Sequence, residues 1–220
     1  MENNKQISES MHIGAVLAIV GGFLDIHTYI ARGGVFANAQ TGNIVLFGMH
    51  LTNGNIRKAC FYLWPILSFA AGVFVSDLIK HKLAHIHIFN WQQKVVILEV
   101  ITLMIVGLVP TSANSLANIL VSFICAMQVE AFRKIHGSPY ATTMCTGNLR
   151  SGMELLYNIV FRHEKSQWQR CLDYFKIIGF FIFGAIIGTI STRAYMQRGA
   201  IVAGLILIIA VIMLFREQEK

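Results

Sequence analysis

Apolar residues run in long blocks along this chain, broken by short clusters of glycine and polar residues. The blocks at Met11 to Ile30, Ala59 to Ile79, Val95 to Val109, Ser115 to Phe132, Tyr174 to Thr192 and Gly199 to Phe215 are near the length that crosses about 30 Å of hydrocarbon at about 1.5 Å per helical residue. Six spanning helices are predicted, the third being the shortest. Two further apolar runs, Ile44 to Leu51 and Met153 to Val160, are too short to span alone. Each of these follows the same kind of polar segment.

That segment is the chain's most informative feature. Phe36-Ala-Asn-Ala-Gln-Thr-Gly-Asn43 recurs as Ala141-Thr-Thr-Met-Cys-Thr-Gly-Asn148, and each copy follows an apolar helix that carries a lone acid, Asp25 or Glu130. The acids and the triplets, Thr41 to Asn43 and Thr146 to Asn148, keep one offset of 105 residues. Such a repeat predicts two halves, residues 1–110 and 111–220, each a membrane repeat within one integral membrane domain. Three spans per half would make the halves run in opposite directions. Gly72-Val-Phe-Val-Ser76 and Gly184-Ala-Ile-Ile-Gly188 add a second correspondence, each a small-residue face suited to close helix packing.

Composition fixes the solvent. The chain is 55% hydrophobic and 13% charged with three prolines, and its mean hydropathy is +0.59, which places it in a bilayer rather than among soluble domains. The N-terminus lacks the basic region and cleavage site of a signal peptide, so the first helix is expected to stay in the mature protein. Basic residues set an orientation. With both termini cytoplasmic, Lys5, Lys80, Lys82, Lys94, Arg133, Lys134, Arg150, Arg162, Lys165, Arg170, Lys176, Arg216 and Lys220 face the cytoplasm, against Arg32, Arg57, Lys58, Arg193 and Arg198 outside. A count of eight spans, with Val35 to Leu51 and Tyr140 to Val160 crossing, would move Lys80, Lys82 and Lys94 outside and nearly abolish this bias. The net charge of +7 is met by an anionic inner leaflet and calls for no nucleic acid.

The repeated segments carry the candidate chemistry. Gly33-Gly34, Gly42 and Gly147 are positions where a helix can break. Broken backbone at membrane depth needs polar partners or a wet cavity. Asn38, Gln40, Thr41 and Asn43 in one copy, and Thr142, Thr143, Thr146 and Asn148 in the other, supply such partners. Thr or Asn ahead of each short run is also an N-cap type, which predicts half-helices opening at the triplets. An unpaired charge at the depth of Asp25 costs about 2.5–3.5 kcal/mol, so protonation, a bound cation or Arg32 must compensate it. Glu130 has Arg133 and Lys134 at helical spacing and can be satisfied by a salt bridge. Glu99 is a third acid in an apolar span. The expected binding set for a substrate or ion is Asp25, Asn38, Gln40, Thr41, Gly42, Asn43, Glu130, Thr143, Thr146, Gly147 and Asn148.

Other features read as structural. His81, His85 and His87 match no closed zinc site and fit a basic interfacial loop, so no metal and no cofactor is expected. Trp64, Trp91 and Trp168 suit interfacial anchoring. Cys60, Cys125, Cys145 and Cys171 have no paired spacing and read as reduced packing residues. The soluble nucleotide, hydrolase and zinc-protease motifs are absent from the sequence.

Gly22-Phe-Leu-Asp25, Phe36 to Asn43, Met127-Gln-Val-Glu-Ala-Phe-Arg-Lys134 and Thr142 through Arg150 resemble the YoaK family of uncharacterised bacterial membrane proteins, over almost the whole chain. The resemblance implies a multi-pass protein of the bacterial inner membrane and supplies no substrate. Position 130 in that pattern is more often an amide, which would leave Asp25 as the distinctive acid. The expected fold is all-α, with six transmembrane helices in two inverted three-helix repeats and broken or re-entrant Thr-Gly-Asn segments. The expected function is transport of a small solute through a midplane polar site, coupled to a proton or cation. Its partners are the lipid bilayer and that solute or ion, with association into a homo-oligomer left open. The alternatives are a membrane scaffold or sensor whose triplets only cap helices, and an intramembrane enzyme using Asp25 and His27.

Overall fold

In the computed structural model, which describes residues 7–82 and 90–216, eight helices follow the apolar blocks: α1 (Met11–Ala31), α2 (Gln40–Thr52), α3 (Ile56–Lys82), α4 (Trp91–Leu108), α5 (Asn114–Ala131), α6 (Cys145–Phe161), α7 (Trp168–Tyr195) and α8 (Gly199–Arg216). A two-residue-per-strand hairpin, β1 (Lys134–Ile135) and β2 (Ser138–Pro139), precedes α6. Five runs are long and apolar enough to cross a membrane: Met11–Ala31, Ile56–Lys80, Trp91–Leu108, Thr111–Ala131 and Lys165–Arg216. The last is 52 residues long and holds both α7 and α8, which a single turn at Met196–Arg198 separates. The 13 residues of α2 reach only about 20 Å, short of a crossing.

The helix ends sort into two groups by their contacts. At one end Arg32, just past α1, donates to the carbonyls of Val106 in the last turn of α4 and Val109 just beyond it, and to Asn114 Oδ1 at the start of α5. At the other end Glu9 meets the hairpin through the amides of His136 and Gly137, and Gln93 at the start of α4 donates to the Leu214 carbonyl near the end of α8. Thus α1 and α4 run toward the Arg32 end, while α5 and α8 return. Near the Arg32 end, His50 of α2 stacks on Tyr62 of α3. Near the hairpin end, Cys171 of α7 donates to the Gly152 carbonyl of α6. The two short helices therefore point to opposite ends of the bundle.

Packing is paired in the same manner. Helix α1 lies on α7 and α5 on α3, α2 covers α3 and α6 covers α7, α4 lies on α8, and α4·α5 is matched by α1·α8. Exchanging α1 to α4 with α5 to α8 leaves this set unchanged. The small-residue faces make two close crossings. A Cβ at Gly184 would overlap the Ile19 backbone of α1, and one at Gly72 would lie 2.5 Å from the Phe123 carbonyl of α5. The core, built around Leu17, Phe23, Val96, Leu103, Val121 and Leu207, fills the space among α1, α4, α5 and α8.

The triplets sit inside the first turns of α2 and α6, not ahead of them. The N-cap residues are Ala39 and Met144, and neither makes a side-chain cap. This corrects the expected Thr or Asn capping. His85 and His87, Lys5 and Lys220, and the side chains of His81 and Lys82 lie outside the described residues. All four cysteines are free.

Candidate functional site

Two loops meet halfway along the bundle, and each is held by the asparagine of its own triplet. After α1 the chain reverses at Gly33 and Gly34, whose φ values of +90° and +83° suit glycine. Asn43 then binds the backbone of Phe36 at both groups: its Oδ1 accepts from the amide at 3.0 Å and its Nδ2 donates to the carbonyl at 2.7 Å. Asn148 does the same to Ala141, at 3.3 and 2.6 Å. In the second loop the glycine pair is replaced by the β1–β2 hairpin, whose Pro139 carbonyl accepts from Tyr174 Oη.

Beyond this shared clamp the loops differ. Asp25 Oδ1 accepts from the amides of Asn38 at 2.7 Å and Ala39 at 3.3 Å, just ahead of α2, where a carboxylate is favoured by the helix dipole. Asn38 Nδ2 donates to the Gly21 carbonyl, Ser122 to the Ala37 carbonyl, and Gln40 to that same carbonyl. The second loop has no equivalent acid: Glu130 turns away and pairs with Arg133 at 2.9 Å, as helical spacing predicts. Among the described residues, the buried hydroxyls of Thr142 and Thr143 have no hydrogen-bond partner.

A cavity of about 680 Å³ lies between the loops. Its polar lining comes from Asp25, Asn38, Gln40 and Thr41 on one side and Thr143, Cys145, Thr146 and Gly147 on the other. Phe36, Phe69 and Phe181, with Ile26, Met144 and Ala185, form its apolar walls. Phe69 and Phe181 sit near the midpoints of α3 and α7, so the cavity lies at mid-depth. Seven of the expected residues thus converge, Asn38 beside Asp25 among them.

Four expected residues do not line this cavity. Asn43 and Asn148 are turned to their loops, and Gly42 lies against the Phe36 ring. Glu130 lines a different recess, of about 460 Å³ near the hairpin, with Glu9, Lys80, Arg133 and Lys134. Nor does Arg32 neutralise Asp25; it is wholly buried among carbonyls at the far end of α1. His27 faces α7, with Nδ1 3.0 Å from Thr192 Oγ1. Glu99 is fully buried in α4, outside the lining, and neither carboxyl oxygen has a partner among the described residues. The aromatic walls are what sequence reasoning missed. Phe36 and Cys145 fall inside the repeated motif, but nothing marks Phe69 or Phe181 among fifteen phenylalanines.

A family model described as a protein of unknown function, DUF1275, matches residues 13–213. The transmembrane protein YoaK of Bacillus subtilis (strain 168) is 26% identical over 165 residues, covering 71% of this chain and 72% of that protein. No solved structure matches the chain.

Proposed function

The chain belongs to the DUF1275 family and is an all-α, multi-pass membrane protein, and on that premise we propose that it transports a small solute across the bacterial inner membrane. In this reading α1, α3, α4, α5, α7 and α8 are six spans in two inverted halves, 1–110 and 111–220, with α2 and α6 as re-entrant half-helices and both termini cytoplasmic. The swap-invariant packing and the opposed directions of α2 and α6 support it. Inverted halves with interrupted segments at their interface are the usual build of alternating-access transporters. The carrying observation is that the two repeated segments, 105 residues apart, face one cavity at mid-depth. Rocking one half against the other would open that cavity to each side in turn, with Asp25 taking up and releasing a proton or cation.

Cys145 gives a direct test, because it lines the cavity and is half-buried. In a chain with Cys60, Cys125 and Cys171 replaced by Ala, an impermeant maleimide should modify Cys145 both in right-side-out and in inside-out vesicles. Labelling from one face only, under every condition, would instead fit a scaffold whose loops are fixed.

A further inference from the structure

The cavity's charge and walls define the solute it would hold. Among the described residues, Asp25 is the only one of charged type that lines it, although the chain as a whole carries +7. Arg32 is engaged with carbonyls at the end of α4 and Arg133 with Glu130, while Arg150, three residues past Gly147, is exposed and not part of the lining. An anion would therefore find no counter-charge. A sugar would find few partners, because most of the lining surface is apolar, with Phe36, Phe69, Phe181, Ile26, Met144 and Ala185 among the lining residues. Aromatic faces and a lone carboxylate together suit a cation with an apolar body.

Asp25 could be present only to close its loop, but the second loop argues against this. It closes on the same asparagine clamp with no acid at the equivalent amides, since Glu130 is paired with Arg133. The loop architecture does not require a carboxylate, so the one beside the cavity can serve a ligand in addition to its two amides. We propose that this cavity binds an amphipathic organic monocation, an amine or quaternary ammonium with a compact apolar body, seated between Asp25 and the three phenylalanine rings. This deepens the transport reading and rests on the cavity being its solute site.

The test uses the full chain in lipid nanodiscs and radiolabelled benzyltrimethylammonium, whose charge is independent of pH. Competitors are its neutral carbon isostere, neopentylbenzene, and the anion phenylmethanesulfonate. The expected result is saturable binding that neither competitor displaces at ten times the cation's concentration, as an order-of-magnitude margin for a buried charge contact. Asp25→Asn, which keeps an oxygen acceptor for Asn38 and Ala39, should weaken binding about ten-fold or more. Glu130→Gln, outside the cavity, should not change it. Should Asp25→Asn also lower the melting temperature, Phe181→Leu decides: it leaves the loop's hydrogen bonds intact and should still weaken the cation. If the neutral or anionic probe binds as well as the cation, and Thr146→Val weakens it, the cation assignment fails while the cavity stands. If none of the three probes binds saturably, both the assignment and the solute site fail.

Discussion

Asn43 and Asn148 look interchangeable with their polar neighbours in the sequence, yet they do a different job. Each binds both backbone groups of the residue seven positions earlier and is buried. Removing one amide leaves a donor and an acceptor unsatisfied, each worth about 1–3 kcal/mol in a buried setting. Asn148→Ala should therefore lower stability by about 2–6 kcal/mol, read as a fall in melting temperature in detergent. Thr146→Val, an exposed position on the cavity wall, should change stability by less than about 0.5 kcal/mol. The distinction changes how function can be probed. A variant at Asn43 conflates folding with binding, whereas one at Thr41 separates them.

At the scale of helices, glycine decides which faces can meet. In a bilayer, helices gain little from burying apolar side chains, so close backbone approach and packing carry the association. Gly184 and Gly188 admit α1 onto α7, where an added Cβ would overlap Ile19 and Phe23, and Gly72 admits α5 onto α3 beside Phe123 and Ala126. Gly184→Ala and Gly72→Ala should each destabilise by about 1–3 kcal/mol through overpacking. Gly48 of α2 has nothing within 4 Å, so Gly48→Ala should be neutral in the same thermal melts. Because these crossings also bring Gly22, Ala185 and Phe181 to the cavity, partial loss of packing should loosen the site before the fold is lost. Small-residue spacing disclosed these faces in the sequence. Their partners were not legible there, since nothing along the chain says that α7 packs chiefly on α1 and only lightly on α8.

For the molecule as a whole, the testable question is which end faces the cytoplasm. Lys80, Arg133 and Lys134 gather near the hairpin, and Arg162, Lys165 and Arg170 lie in and beside the α6–α7 connection that joins it. The Arg32 end keeps Arg57, Lys58, Arg193 and Arg198. The loop-charge rule predicts a cytoplasmic hairpin end. A cysteine placed at Asn53 in a cysteine-free chain should then label in intact cells with an impermeant reagent, and one at His163 only after lysis. The reverse pattern would invert the orientation while leaving the packing untouched.

What the sequence determined by itself was the solvent, the approximate bounds of the apolar helices and the repeated loop, because each is written locally: a helix must carry enough apolar residues to cross lipid, and a break at depth must carry its own polar partners. Even the pairing of Glu130 with Arg133 was local, three residues apart at the end of α5. Only the tertiary structure decided which acid reaches the cavity. Asp25 and Glu130 have the same spacing to their triplets, but direction depends on the neighbours: the amides ahead of α2 receive Asp25, while Arg133 and the recess near Lys80 hold Glu130. The aromatic walls were likewise decided by packing, because Phe69 and Phe181 come from helices far apart in sequence and become neighbours only when α3 and α7 close around the two loops.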